Sequence, residues 1–140
     1  MKILIAADGS PHTKRMLAYI AAHDEWLGQL PAYAVIHSVL PVPPHAAVTV
    51  GKDMLKSYYE SEAEKVFTPI RKFFKQQSLV ARFLPKVGDP AVEIARLAET
   101  SKFDLVMIGS HGRGTLANLV LGSVVTKVLA SCSTPVLIVR

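Results

Sequence analysis

The sequence is short of the features that mark secreted and membrane proteins. It has 140 residues and a single cysteine, Cys132, so no disulfide can form within the chain. No apolar run is long enough to span a bilayer. The apolar stretch at residues 3–7 stops at Asp8, which makes it too short for the core of a signal peptide. These absences predict a soluble, cytoplasmic protein with no membrane contact.

Several signatures of nucleotide and phosphate chemistry are also missing. The P-loop pattern G-x-x-x-x-G-K-[S/T] does not occur. The first strand is followed by Asp8-Gly9-Ser10, which does not fit the glycine fingerprint of dinucleotide enzymes. A response regulator needs an aspartate after the third strand, where this chain has residues 85–88, Pro-Lys-Val-Gly. The net charge of +5 is scattered, with no RNA- or DNA-binding motif, and predicts a solvated surface without a nucleic-acid partner.

What remains is an alternation of strand and helix patterns. Half of the residues are hydrophobic, and the length suits one domain with a full core. Apolar strands separated by helices are typical of a parallel sheet covered on both faces. The sequence therefore predicts one α/β domain, residues 1–140, with a doubly wound parallel sheet. The predicted strands are 2–7, 32–39, 79–84, 105–108 and 136–139, and the main helices are 11–27, 52–76, 122–130 and one that opens at Pro90.

Local signals place several helix ends and breaks. Ser10 before Pro11, and Asp89 before Pro90, are predicted N-caps. Pro69 is expected to kink or interrupt the long helix. Prolines at 41, 43 and 44 predict an irregular loop, and residues 40–51 are the expected mobile segment. Ala21 and Leu27 are expected to face inward from the first helix, and Met54, Tyr58 and Tyr59 are expected to be packing residues.

The most informative motif lies near the C-terminus. Gly109-Ser110-His111-Gly112 is followed, after nine residues, by Gly122-Ser123. A strand, a glycine loop and a helix start in that order form an anion site, because backbone N–H groups and the helix dipole favour negative charge. The alternative is that the glycines only make a tight turn and allow close helix packing. A glycine inside a helix costs about 1 kcal/mol relative to alanine, so a role at a helix start or near a ligand explains Gly122 better. Ser123 is a candidate N-cap, which is compatible with contact to a phosphate because both use the first helical turn.

Other polar residues have a functional and a structural interpretation. Asp8 follows the first strand and is either a ligand residue or a turn and cap residue. Ligands bind beyond the carboxyl ends of parallel strands, but periodicity does not establish that strands one and four are neighbours. His111 and Arg113 either contact a ligand or lie on the loop surface. His37 is expected to be a hydrogen-bonded structural histidine, and nothing near Cys132 indicates an activated thiol.

The chain as a whole resembles the universal stress protein family. The resemblance rests on Asp8-Gly9-Ser10, on residues 36–39 (Ile-His-Ser-Val), on residues 88–91 (Gly-Asp-Pro-Ala) and on residues 135–139 (Pro-Val-Leu-Ile-Val). Its most specific part is the G-x-x-G-(nine residues)-G-[S/T] pattern of the family's ATP-binding branch. The resemblance implies a Rossmann-like, adenine nucleotide hydrolase-like fold with strand order 3-2-1-4-5, and homodimers joined through the last strand.

The same resemblance implies a site for ATP, accompanied by Mg²⁺ or Mn²⁺ at Asp8. Two positions depart from the family pattern: Ala6 stands where many members have proline, and Ser38 where many have valine. Neither change removes a backbone hydrogen-bonding group. The implied nucleotide-binding residues are Ala6, Asp8, Ser38, Gly109, Ser110, His111, Gly112, Arg113, Gly114, Thr115, Gly122, Ser123, Val124 and Val125.

Three functions follow as hypotheses. The first is an ATP-binding, homodimeric regulator or chaperone-like factor of the stress response. The second is a slow ATP hydrolase that uses Asp8, although no pairing of a nucleophile with a base is recognisable in the sequence. The third is a dimeric interaction module that binds no nucleotide.

Overall fold

A computed structural model describes residues 1–23, 25–28, 31–114 and 120–140 of the chain. In this part of the chain, a five-stranded parallel sheet has the order β3-β2-β1-β4-β5, which confirms the predicted architecture and strand order. The strands are β1 (Lys2–Ala6), β2 (Ala32–Val39), β3 (Ala81–Val87), β4 (Leu105–Gly109) and β5 (Val136–Val139).

Helices cover both faces of the sheet. They are α1 (Pro11–Ala22), α2 (Pro44–Val50), α3 (Lys52–Gln76), α4 (Pro90–Thr100) and α5 (Ser123–Ser131). Ser10 and Asp89 cap α1 and α4 with their side chains, as predicted, and Pro11 and Pro90 begin these helices. Among the described helices, none combines the length and apolarity needed to cross a membrane.

The side chains of each strand alternate between two hydrophobic cores. One core joins α1 and α3 to residues such as Ile5, Val35 and Met107. The other joins α4 and α5 to residues such as Ile36 and Ile108. Because successive residues of a strand point to opposite faces, this alternation explains why β1, β4 and β5 are apolar almost throughout.

The first helix is shorter than predicted. It ends at Ala22 instead of near Leu27, and Ala21 is exposed, contrary to the prediction. Ala21 and Ala22, the last two residues of the helix, are both exposed, so burial of side chains does not favour extending it. Leu27 is nevertheless completely buried, and it reaches the core from the turn that follows the helix.

The proline-rich segment after β2 contains a helix that sequence reasoning missed. Pro44 is the first residue of α2, a position where proline needs no hydrogen bond. None of the seven residues of α2 is buried, which explains why no apolar periodicity marked it. Met54 and Tyr58 at the start of α3 are also largely exposed, so predicting them as packing residues was wrong.

Helix α3 has the predicted bounds and is not interrupted at Pro69. This proline lies on the exposed side of the helix, while Val66, Phe67 and Ile70 pack on the core around it. The starts of two other elements differ from the prediction. Strand β3 runs over Ala81–Val87 and lies later in the chain than predicted. At α5 the N-cap is Gly122, and Ser123 is the first helical residue instead of the cap.

Candidate functional site

A cleft of about 560 Å³ opens at the carboxyl edge of the sheet. Its position follows from the pairing of β1 with β4, in which Ala6 lies opposite Ile108. The turn after β1 and the glycine loop after β4 therefore emerge side by side. The connection of β1 to α1 and that of β4 to α5 leave on opposite faces of the sheet, which is the arrangement that forms a ligand crevice in this class of fold.

The cleft brings together most of the residues that the sequence singled out. Ser110 is 2% exposed and does not line it. Thr115 lies outside the described residues. The predicted residues that do line the cleft are Ala6, Asp8, Ser38, Gly109, His111, Gly112, Arg113, Gly114, Gly122, Ser123, Val124 and Val125.

Asp8 divides its two carboxylate oxygens between different tasks. Its Oδ1 accepts hydrogen bonds from the backbone N–H of Ser10 (2.9 Å) and from Thr13 Oγ1 (3.0 Å). These bonds fix the turn that starts α1. Its Oδ2 lies beside Gly112, 2.8 Å from the place where a Cβ of that residue would be. The turn-stabilising role of Asp8 therefore uses Oδ1. Oδ2 takes no part in these two bonds and lies next to the glycine loop.

The glycines of the loop are needed for close approach. A Cβ on Gly109 would lie 2.7 Å from His12 Cβ. A Cβ on Gly122 would lie 3.2 Å from His111 Cα and 3.4 Å from the carbonyl oxygen of Ser110. The backbone N–H of Gly122 also donates to this carbonyl at 2.8 Å. The loop is thus packed directly against the start of α5, so a side chain at position 122 would displace it.

The start of α5 is open to the cleft. The first N–H groups of any helix have no partner within the helix. In α1 and α4 a side-chain oxygen accepts from such groups, whereas the Gly122 cap of α5 provides no side-chain hydrogen bond. Ser123, Val124 and Val125, the first turn of α5, line the cleft. The positive end of the helix dipole and its backbone donors are therefore directed at the space where an anion can bind.

Ser110 helps to hold the glycine loop in position. Its hydroxyl lies 3.1 Å from His111 Nδ1 and 3.4 Å from His12 Nδ1, and the two imidazole rings are 5.3 Å apart. Its backbone N–H donates to the carbonyl of Val139 at 2.9 Å. Ser110 thus ties the glycine loop to α1 and β5, which is a positioning role and not a place in the cleft wall.

His37 lies at the other side of the cleft, at the end of β2. Its Nδ1 lies 2.8 Å from the carbonyl oxygen of Ala7, and because a carbonyl only accepts, Nδ1 carries the proton. Burial lowers the pKa of His37 below its ordinary value, and the charge of Arg113 acts in the same direction. The bond to Ala7 opposes this shift without cancelling it. The imidazole is therefore neutral at pH 7, as fits the structural role predicted for it.

The lowered pKa of His37 predicts a loss of stability on mild acidification. The unfolded chain takes up a proton near the ordinary pKa of 6.5, before the folded chain does. The contribution of neutral His37 to stability is therefore complete above pH 6.5 and declines as the pH falls below it. We expect His37→Gln to flatten this part of the curve of unfolding free energy against pH, measured by urea denaturation. His45→Gln, at an exposed histidine, is the control and should leave the slope unchanged.

Arg113 and Glu62 provide the charges on the α3 side of the cleft. The guanidinium of Arg113 lies against the turn after β1, with Nη2 3.0 Å from where a Cβ of Gly9 would be. Glu62 pairs with Lys65, and the hydrogen bond from Lys65 holds the pKa of the Glu62 carboxyl below its ordinary value. Arg113 is exposed and lines the cleft, so it can reach an anion bound at the loop.

On the opposite side, toward α4 and α5, the cleft is an apolar slot. We use this name for the walls formed by Ala6, Ile36, Ile94, Ile108 and Val125. A flat, largely apolar ring fits such a space. The cleft thus combines an anion-binding end with an apolar end.

Several lining residues were not predicted from the sequence. Thr13, Tyr58, Glu62, Pro90 and Ile94 reach the cleft from α1, α3 and α4. Thr13 had a detectable signal, because it stands three residues after the N-cap Ser10. Pro90 belongs to the Gly-Asp-Pro-Ala motif, which predicted a helix start and not a cleft residue. Tyr58, Glu62 and Ile94 carry no motif, and only the packing of their helices brings them to the cleft.

Among the described residues, no group of three or more His, Cys, Asp or Glu side chains could hold a metal ion alone. Asp8 Oδ2 is the carboxylate oxygen next to the loop. A hard cation such as Mg²⁺ is commonly held by one or two carboxylates together with ligand phosphates. The residues present fit that arrangement, in which the ligand supplies most of the oxygens.

Comparison with known proteins identifies what this arrangement resembles. A family model described as the universal stress protein family matches residues 1–140. A universal stress protein from Thermus aquaticus, named for its place in the 3′ region of QAH/OAS sulfhydrylase, is 33% identical over 144 residues. That match covers 99% of this chain and 97% of the relative.

Solved structures share the fold. That of hypothetical protein MJ0577 from Methanocaldococcus jannaschii has a TM-score of 0.77 and 29% identity, covering 99% of this chain and 94% of that one. The universal stress protein from Archaeoglobus fulgidus in complex with dAMP has a TM-score of 0.69 and 20% identity, covering 100% of this chain and 98% of that one. At that identity the second likeness shows the fold alone.

Proposed function

We propose that this chain, which belongs to the universal stress protein family, binds an adenine nucleotide in its cleft, with ATP as the preferred ligand. The observation that carries the proposal is the division of the cleft into two ends. One end has the glycine loop and the uncapped start of α5, and the other is the apolar slot. A nucleotide has the matching division between phosphates and base. The Archaeoglobus fulgidus protein in complex with dAMP shows that a protein of this fold can hold an adenine nucleotide.

In this proposal the phosphates are held mainly by backbone groups. Ser123, Val124 and Val125 supply the donors of a helix start, and Gly109, Gly112 and Gly114 allow the chain to approach without side chains. Arg113 adds a positive charge. Asp8 completes the phosphate end of the cleft, where it would hold Mg²⁺ or Mn²⁺ when such an ion accompanies the nucleotide. The base occupies the slot between the ends of β1 and β2 and helix α4, near Ala6 and Ser38.

The carboxylate of Asp8 makes metal dependence a test of this proposal. Without a divalent ion, Asp8 and the nucleotide phosphates repel each other, so chelation by EDTA should weaken ATP binding roughly tenfold or more. AMP, with fewer phosphate charges, should be affected less. In an Asp8→Asn variant the repulsion is gone, so EDTA should have little effect. Equal effects of EDTA on wild type and Asp8→Asn, measured by calorimetry, would show that Asp8 does not lie beside the phosphates.

We further propose that the protein is a cytoplasmic homodimer that acts as a nucleotide-dependent regulator or chaperone-like factor in stress responses. The dimer is proposed to join through β5. This strand lies at one edge of the sheet and pairs with β4 on its other side. Its residues Val136, Leu137 and Ile138 are apolar and only half-buried. An apolar sheet edge of this kind is normally paired or covered.

A proline at position 138 should separate the dimer without breaking the sheet. The carbonyls of Pro135 and Val139 accept bonds from Val106 and Ser110, so alternate residues of β5 face β4. Ile138 is one of the residues between them, and its N–H is directed outward. We expect wild type to have twice the mass of one chain in light scattering at micromolar concentration, and Ile138→Pro to be monomeric with its circular dichroism retained. Leu137→Pro, which removes an inward donor, should instead unfold the edge of the sheet.

A further inference from the structure

The apolar slot contains one polar side chain at the end of β2. Ser38 lies on the same face of the sheet as Ile36, because alternate residues of a strand share a face. It is half-buried and lines the cleft. Within the described residues, the only other polar side chain on this side of the cleft is Ser123, at the phosphate end. A ring bound in the slot therefore meets the Ser38 hydroxyl as its main polar side-chain contact.

The hydrogen-bonding character of this hydroxyl is fixed by its neighbour. Ser38 Oγ lies 3.0 Å from the carbonyl oxygen of Gly88. A carbonyl can only accept, so the single hydroxyl proton of Ser38 is directed at Gly88. The turn that carries this carbonyl is itself held, since the N–H of Gly88 donates to the carbonyl of Val39 at 2.9 Å. What Ser38 offers to the cleft is therefore the lone pairs of Oγ, which accept a hydrogen bond and cannot donate one.

We propose that Ser38 is a specificity-determining residue that accepts a hydrogen bond from an exocyclic amino group of the bound base. This inference rests on the proposed nucleotide-binding function. A 6-aminopurine satisfies the Ser38 oxygen. A purine with hydrogen at position 6 donates no hydrogen bond to the lone pairs that Ser38 Oγ directs at the cleft. A 6-oxopurine places a second hydrogen-bond acceptor against them. The residue at which the sequence departs from the family pattern thus selects adenine among purines.

The test compares ATP with purine riboside 5′-triphosphate, which is ATP without the amino group. Calorimetry on the full chain should show that wild type binds ATP roughly five- to tenfold more tightly, the effect of one hydrogen bond. Ser38→Thr and Ser38→Val form a matched pair of equal size that differ in the hydroxyl. We expect Ser38→Thr to keep the preference and Ser38→Val to bind both nucleotides equally. Thr100→Val is a control that removes a hydroxyl outside the cleft, one that donates to the Arg96 carbonyl, and it should keep the preference for ATP.

Two results would overturn the proposal. The first is that wild type binds the two triphosphates equally. The second is that Ser38→Val retains the preference: with unchanged ATP affinity this would assign the preference to backbone groups, and with both nucleotides weakened by the same factor it would leave Ser38 as a residue that only holds the turn at Gly88. Should Ser38→Val fail to fold, ATP and inosine triphosphate are compared on wild type, where equal affinity overturns the proposal. Failure of wild type to bind any of these nucleotides would instead reject the proposed function itself.

Discussion

Replacement of Gly122 by valine is expected to weaken ATP binding by at least about a hundredfold. A side chain at this position meets the backbone of His111 and Ser110, so the glycine loop must move away from the start of α5. Two lost hydrogen bonds to phosphate, at about 1.5–3 kcal/mol each, account for an effect of that size. The fold should persist, because the change at a helix cap costs only about 1 kcal/mol. Calorimetry and thermal denaturation together separate the two effects.

Alanine substitutions provide a graded control for this prediction. A Cβ on Gly114, in the same loop, has no heavy atom within 4 Å, so Gly114→Ala should leave the loop in place and weaken ATP binding much less than Gly122→Val does. Gly122→Ala adds only a Cβ, which lies 3.2 Å from His111 Cα and 3.4 Å from the carbonyl oxygen of Ser110, so its ATP affinity should fall between those of Gly114→Ala and Gly122→Val. Wild-type affinity in Gly122→Val would mean that the junction of loop and helix does not hold the phosphates.

The largest expected effect on stability is that of Phe67→Ala. Phe67 on α3 is 1% exposed, and its ring lies edge-on to that of Phe83 on β3, with centroids 5.3 Å apart. Removing it leaves a cavity between helix and sheet, which typically costs 3–5 kcal/mol, and we expect about that loss in the free energy of unfolding. Urea denaturation at pH 7 measures it.

Phe73 on the same helix is the matched control. It is half-buried and packs at the margin of the same core, so Phe73→Ala should cost clearly less than Phe67→Ala. Equal losses in the two variants would contradict the packing of α3 described above, since the cost of truncation depends on how completely a side chain is enclosed.

The architecture was largely predictable because its signals are local and agree with one another. Apolar strands such as 105–108, caps such as Ser10 and Asp89, and prolines at helix starts all indicate the same alternation of strand and helix. The strand order was not accessible from periodicity, because no local pattern says which strands pair. It came from the resemblance to a family, and the register of β1 with β4 confirms it.

The errors have a common cause, which is the absence of local information about packing. Helix α2 has no buried residue and so no periodicity. Helix α1 stops early, after the exposed residues Ala21 and Ala22, although Leu27 beyond it is buried. The residues that reach the cleft from helices, such as Tyr58 and Ile94, depend on how α3 and α4 lie against the sheet. The glycine loop was recognisable because its function needs small residues at fixed spacing.

Direct titration of the wild-type chain with ATP and magnesium in a calorimeter tests the central claim that the cleft is a nucleotide site. We predict saturable binding of one ATP per chain with a dissociation constant below about 1 mM, together with weaker binding of adenosine, which lacks the phosphates. Absence of binding at millimolar ATP, or equal affinity for ATP and adenosine, would contradict the assignment of the glycine loop and the start of α5 to the phosphates.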